Sequence, residues 1–431
     1  MTARRKNPSF CSARNAGLAV GGGRATTALA ILAMLATAFT ASAADIRSVS
    51  RIAFGPANTI FLGDWVSSKV HALTLPPAKA SDGKPFNILN FGASLRKALG
   101  AEDIVLEDLA MRPGTNEVYV AGSAGAEKTP ALFAVTADGD VRAVDLEAMT
   151  ETSADLEKPL SPDLKFWDNI PDRSFTVTDM KWRDGHLYVA GLSNQDFASS
   201  LRILPYPFGK DSAMASVEMY HTSHDQVETR APIRAMTFAD LDGKPYLIAA
   251  YLCTPLVTIP LDALTDGAHV KAKTIAELGD AGTPVEAVPF SAMDFSTGKP
   301  VPYLLVANLF RESSVIPMSS IEDTNRGAGY SKPVPFGQIA GVQHSGLTMG
   351  NVMRIDNQDD HLFVALRRDL ASGRAELVSI DKLATFRLSD YDVSEFMFPD
   401  YKYAADPEHD GIRKMQNMLK TEEGFPEAVR N

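Results

Sequence analysis

The chain has 431 residues, 45% hydrophobic, 22% charged and 8% aromatic. That is a globular makeup with material for a sizeable core, and it excludes a disordered or collagen-like chain. At about 100–200 residues per domain it allows several ordinary domains or one large repeat-built domain. The formal net charge of −11 comes without a basic cluster, so nucleic acid is not an expected partner. Two cysteines, Cys11 and Cys253, exclude a disulfide framework, a four-thiolate zinc site and c-type haem attachment.

Residues 1–27 carry Arg4, Arg5, Lys6, Arg14 and Arg24 and no acid. The apolar run ALAILAMLATAF (28–39) follows, then the small-x-small triplet Ala41-Ser42-Ala43. This order predicts a secretory signal peptide over 1–43, and hence a periplasmic or secreted protein. An uncleaved anchor is the alternative. No later segment has 18 successive apolar residues, so no transmembrane segment is expected after cleavage. Cys253, in YLIAAYLCTPL, is expected as a small buried hydrophobe rather than a ligand or nucleophile.

From residue 46 the chain repeats itself. Each unit has a short strand, a turn, and a second strand ending in small residues. The copies read SRIAF…TIFLGDW, EDLAM…EVYVAGS, TDMKW…HLYVAGL, RAMTF…PYLIAAY, SAMDF…PYLLVAN and NVMRI…HLFVALR. Their aligned apolar positions are Ile52, Leu109, Met180, Met236, Met293 and Met353, spaced by 57, 71, 56, 57 and 60 residues. Further strand-like runs follow in each copy: KVHALTL and FNILNF in the first, ALFAVTADGDVRAVDL in the second, LVTIPL and VKAKTIAEL in the fourth, ELVSIDKL in the sixth. Asp138-Gly139 marks a hairpin. Four short strands per unit at this period predict propeller blades.

The expected fold is therefore all-β, a β-propeller over 44–398 with four-stranded blades, six in number, closed by an edge strand. Seven is the alternative, with the extra blade hidden in 146–175; the Pro- and Asp-rich sequence there reads better as a long loop. A two-domain β-sandwich protein is the runner-up fold. Helix is expected around 92–100 and 409–422, the latter inside a C-terminal extension, 399–431, that lies outside the repeat. EVYVAGS…ALFAV and HLYVAGL resemble bacterial exported β-propeller repeats of the YVTN and NHL type. The resemblance covers most of 46–395 and implies architecture only, because no site motif of such a family is present.

In a propeller the first strand of each unit is innermost and starts at one mouth of a central channel. The starts expected are Ser50-Arg51, Glu107-Asp108, Thr178-Asp179, Arg234, Ser291 and Asn351. The loops before them hold Trp167, Asp168, Asp172 and Arg173; His221, His224, Asp225, Glu228 and Arg230; and Gln343, His344 and Met349. Three roles fit such a ring. Carboxylates with histidine could hold a divalent metal, with Glu107, Asp179 and Asn351 giving oxygens and His224 or His344 nitrogen. An acid beside His could serve as general base. Arg230 and Arg234 could bind an anion. The bland alternative is that these groups pair and seal the channel. His221 and His224, three apart in a loop, are a weak metal signal by themselves. The four methionines at one repeat position suggest soft-metal ligands, but an apolar residue stands there in every unit, so core is expected.

No nucleophile elbow, phosphate loop, dinucleotide fingerprint or EF-type calcium loop occurs in a supporting context. The sequence therefore points to a periplasmic binding or scaffold propeller, accessory to an enzyme, taking a small molecule or protein at the channel mouth. Its ligand residues would be Glu107, Asp108, Asp179, His221, His224, Arg230, Arg234, His344 and Asn351. The alternative is a metal-dependent hydrolase of the lactonase type, with carboxylate ligands and a histidine base at the same mouth.

Overall fold

The computed structural model describes residues 45–166, 169–253, 255–279, 282–294, 297–347, 349, 351–369, 372–390 and 404–424. The expected signal peptide lies outside them.

Strands β1 (Arg51–Phe54), β2 (Thr59–Asp64) and β3 (Lys69–Thr74) form an antiparallel meander. Every residue of β2 is buried, as expected for a strand covered on both faces of its sheet. The chain then leaves this sheet through β4 (Asn87–Ile88) and α1 (Phe91–Leu99). Asn90 caps the helix by accepting from the Ala93 amide, and Gly100 ends it at φ 66°. A second meander follows: β5 (Ile104–Met111), β6 (Glu117–Ala124), β7 (Thr129–Thr136) and β8 (Val141–Ala143). Gly139, at φ 88°, turns β7 into β8. Only then does β9 (Glu151–Asp155) come back to pair with β3 and complete the first sheet.

After a two-stranded ribbon of β10 (Lys165–Phe166) and β11 (Ile170–Pro171) come β12 (Asp179–Arg183), β13 (His186–Leu192), β14 (Ser199–Pro205) and β15 (Ala213–His221), to which β16 (Gln226–Glu228) adds. Next are β17 (Ala235–Leu241), β18 (Lys244–Ala250), β19 (Pro255–Pro260) and β20 (His269–Leu278). The outer strands β15 and β20 pair in parallel, so these two meanders share one long sheet. Then come β21 (Pro284–Asp294), β22 (Lys299–Asn308), β23 (Ser313–Pro317), α2 (Met318–Arg326), β24 (Ile339–Ala340), which joins β20, and β25 (Ser345–Leu347), which joins β23. The last meander is β26 (Val352–Asn357), β27 (Leu362–Arg368) and β28 (Ala375–Asp381), and its fourth strand is β4 from far upstream.

The first strands neighbour one another in a closed cycle. β1 lies between β5 and β12, then β12 touches β17, β17 touches β21, β21 touches β26, and β26 touches β5. The apolar clusters follow the same cycle. Leu62 and Tyr119 join the first sheet to the second, and Phe61 and Leu187 join it to the third meander. Met219 and Met236, then Ile248 and Leu304, then Leu305 and Phe363 continue round. Val120 and Val364 close it. The protein is an all-β, propeller-like arrangement of four-stranded sheets.

The order round the cycle is not the order along the chain. The second meander sits between the first and the last, so the β5–β8 unit is inserted within the first sheet, between β3 and β9. Two sequence expectations are corrected by this. FNILNF was expected to extend the first unit, but its strand pairs with β28, and Phe86 and Phe91 are buried against the last meander. The 146–175 segment was expected as a loop or a hidden blade, but it contains β9, the fourth strand of the first sheet. Cys253, at φ 61° in the β18–β19 turn, is half-buried rather than buried.

Small residues end the second strand for a steric reason. A Cβ on Gly191 would lie 2.0 Å from the Thr176 carbonyl oxygen, and one on Gly122 equally close to that of Val105. Over Gly191 it is the chain entering the first strand that comes this close, and over Gly122 the start of that strand itself. At the C-terminal end, α3 (Asp410–Thr421) packs Leu419 against Leu388. The Glu423 carboxylate accepts from the Leu388 and Ser389 amides at 2.7 and 2.8 Å. No described helix is long and apolar enough to cross a membrane.

Candidate functional site

The mouth where the first strands begin is lined by one charged residue from each meander. In chain order they are Arg51, Asp108, Asp179, Arg234, Glu286 and Arg354. In the order of the closed cycle they read Arg51, Asp108, Arg354, Glu286, Arg234, Asp179, so the sign alternates at every step. The swapped position of the second meander is what makes the alternation complete.

Hydrogen bonds show how these groups are spent. Asp108 accepts from the Ile52 amide at 2.8 Å and faces Arg354 Nε at 2.8 Å. Asp179 accepts from the Met236 and Met180 amides, both at 2.7 Å. Arg51 donates from Nε to the Thr178 carbonyl at 2.7 Å. Arg354 donates to the carbonyls of Glu107 at 2.9 Å and Val285 at 3.3 Å. Each of these bonds joins neighbouring first strands, apart from Asp179 to Met180. One layer deeper, Lys181 donates to Glu286 at 2.5 Å, and Asp356 accepts from the Met111 amide at 2.8 Å.

Burial shifts these groups strongly. Glu286 is pushed up to about 7 by burial, which outweighs the pull of Lys181, and the nearby Asp179 and Asp108 carboxylates add to the rise. Asp179 and Asp356 are raised by burial too. Lys181 is raised, because Asp179 and Glu286 overcome its own burial. Arg234 is brought down to about 10 by burial and by the facing Arg51 and Arg354, which leaves it protonated at neutral pH. Arg51, Asp108, Asp179, Glu286 and Arg354 are tied to backbone groups or to a partner charge and form a seam between sheets. The Arg234 Nε, by contrast, is buried with no hydrogen-bond partner among the described residues.

The expected site residues are thus dispersed. Asp108, Asp179 and Arg234 belong to the ring. Glu107 is exposed and lends it only a carbonyl. Asn351, at φ 60°, turns the chain into β26, and its carbonyl accepts from the Arg368 amide. His344 lies beside Glu312 and Arg311, just before the outermost strand of its sheet, and is lowered by burial. Arg230 is exposed. His221 and His224 meet each other and Glu228, while neither Glu107 nor Asp179 joins a group of three metal-type ligands among the described residues. Trp167 and Asp168 lie outside the described residues.

Lys181, Glu286, Arg354 and Asp356 escaped the sequence reading. In the fifth unit the first strand begins at Pro284, seven residues before the expected Ser291, and bulges in β5, β21 and β26 shift the alignment. A charged residue near the start of every first strand was the available signal. The same shift corrects the methionine expectation. Met180 and Met236 are core, but Met293 is 46% exposed.

Met293 instead lines a cleft of about 1000 Å3 at the other end of the first strands. Phe238, Phe290 and Tyr303 form walls, with Pro289, Pro300, Pro302 and Met318 beside them, and Asp240, Glu322, Asp359, Asp360, Asp381, Lys382 and His361 at the edges. Lys382 is buried and donates to the Asp359 carbonyl at 2.5 Å. Arg183, outside the cleft, holds Asp240 at 2.9 Å and lies 5.5 Å from the centre of the Phe238 ring. The edge therefore carries an excess of acid over an aromatic wall. A smaller cavity of about 360 Å3 along the axis shares Asn357 with it and reaches Lys181, Glu286 and Asp356.

No family model matches the chain, and no curated protein matches it. Among solved structures it is similar to the extracellular domains 1–2 of Drosophila Semaphorin 1b, at 10% identity over 77% of this chain and 84% of that one, with a TM-score of 0.33. It is also similar to Kuenenia stuttgartiensis hydrazine synthase, at 11% identity over 81% and 99%, TM-score 0.31. A third is the Cps50 (Swd1) β-propeller domain of Myceliophteria thermophila, at 11% identity over 77% and 84%, TM-score 0.31.

Proposed function

We propose that the chain is an exported, six-bladed β-propeller that works as a binding protein. Its ligand is positively charged, has an apolar face, and sits in the cleft between Phe238, Phe290 and Tyr303. Counting each meander of the long sheet as one blade gives the six. The basic, apolar and small-residue order of residues 1–43 supports export to the periplasm. The channel mouth, where the sequence placed a ligand or partner, is the weaker seat, because five of its six ring charges are engaged with one another or with backbone and only Arg234 is left to meet a ligand. A hydrolase of the lactonase type is weaker too, since both Asp179 oxygens accept amide protons.

One observation carries the reading: a concave aromatic wall with an acid-rich edge whose lysine is buried. Such walls supply desolvation and cation–π attraction, and the acids select the sign of the guest. Fluorescence anisotropy with a labelled Phe/Lys hexapeptide and its Phe/Glu counterpart tests it. The basic peptide binds, more weakly as salt rises, and Met293→Arg reduces its affinity at least tenfold. Equal or tighter binding of the acidic peptide, or no effect of Met293→Arg, overturns the reading.

A further inference from the structure

We propose that His221, His224 and Glu228 form a binding site for a divalent transition-metal ion, with zinc the best fit, at the junction between the two meanders of the long sheet. β15 ends at His221, the single turn Thr222–His224 follows, and Asp225, at φ 49°, reverses the chain. β16 then runs back along β15, with Met219 opposite Glu228. This hairpin brings Glu228 Oε1 to 2.7 Å from His224 Nδ1 and 2.9 Å from His221 Nδ1. One ligand atom from each residue lies within 4.8 Å of the others.

The second observation concerns His221 alone. Its side chain is buried, and neither ring nitrogen makes a well-directed hydrogen bond within the protein. Its Nδ1 stands against Glu228 Oε1 as a close ion-pair contact. A buried imidazole nitrogen without a directed partner is costly, and a metal in front of Nδ1 satisfies that nitrogen. Around tetrahedral zinc, with Zn–N about 2.0–2.1 Å, ligand atoms stand about 3.3 Å apart. Glu228 therefore needs to draw back from each histidine by only about 0.5 Å.

Two imidazoles with one carboxylate suit zinc or its late first-row neighbours. Calcium and magnesium prefer all-oxygen sets, and copper(I) prefers thiolates or thioethers. The frame is firm. Thr222 is buried and donates to Glu277 on β20 at 2.5 Å, and its carbonyl accepts from the Val334 amide. His224 is 40% exposed along its side chain, so the fourth coordination position opens to solvent. A bound ion thus clamps the hairpin where β15 and β20 meet and keeps one exchangeable position.

The test uses the tag-free mature protein, stripped with a chelator and titrated with zinc alone by calorimetry, with thermal unfolding in parallel. One equivalent binds, the melting point rises, and cobalt(II) in place of zinc gives the intense visible bands of a tetrahedral site. His224→Ala, at an exposed position that leaves the fold intact, weakens zinc at least tenfold, and Glu228→Gln does likewise. Absence of a stoichiometric site, or an affinity unchanged in His224→Ala, overturns the proposal and leaves an ordinary His–Glu contact.

Discussion

Glu286 shows most clearly what the buried ring costs. Its carboxyl is held at about 7 by burial and by neighbouring acids, against an ordinary value of 4.5. A carboxyl raised in the folded state favours folding while it is protonated, and that contribution is lost as pH climbs from about 4.5 through about 7. Glu286→Gln keeps an acceptor for Lys181 and removes the ionisation. The variant should therefore gain on the wild type between pH 5 and pH 8, by on the order of 2 kcal/mol, read from urea unfolding at the two pH values. A gap that stays constant with pH would show that Glu286 is ionised throughout. Residues of this kind were only partly legible in the sequence. Asp108, Asp179 and Arg234 were visible because they sit beside well-aligned repeat positions. Glu286 was not, because its strand begins at Pro284 rather than at the expected Ser291, and Arg354 was not, because it lies three residues past the expected Asn351, beyond a bulge that pattern alignment does not see.

At the scale of elements, strands that carry the repeat pattern were legible, and strands that close sheets were not. β2, β6, β13, β18, β22 and β27 are long apolar runs, buried between sheets, and such runs announce themselves. β4 has two residues and β9 is largely polar, ETSAD. Their partners are fixed by tertiary geometry, which local pattern does not encode. β9 is held partly by one buried side chain. His71 Nδ1 lies 2.6 Å from Glu151 Oε1 on β9, and its Nε2 lies 3.4 Å from Asp64. Burial alone would lower His71, but the two facing carboxylates raise it, Glu151 accepting from its Nδ1, while Asp64 is held down at about 2. A histidine raised on folding contributes stability that is complete below its unfolded value of about 6.5 and is lost as pH rises through the folded value. His71→Gln should destabilise the protein by about 1–3 kcal/mol at pH 6, and the difference from wild type should shrink towards pH 9. Thermal unfolding across that range checks it; a difference that widens towards pH 9 would mean His71 is neutral in the fold.

For the whole molecule, the repeat announced a ring of sheets, and chain order suggested that the sheets follow one another round it. The inserted second meander breaks that order and ties the ring at two places, β9 on β3 and β4 on β28. The ring gives the two ends of the first strands different characters: a sign-alternating seam at their start and an aromatic, acid-edged cleft at their finish. A binding role for such a ring rests on the second end. Hydrogen exchange with and without the Phe/Lys hexapeptide compares the two directly. Slowed exchange in 237–240, 289–293 and 357–361, with no change at 50–52, 107–109 and 178–180, is the predicted result; slowing confined to the latter three segments would contradict it and return the ligand to the channel mouth.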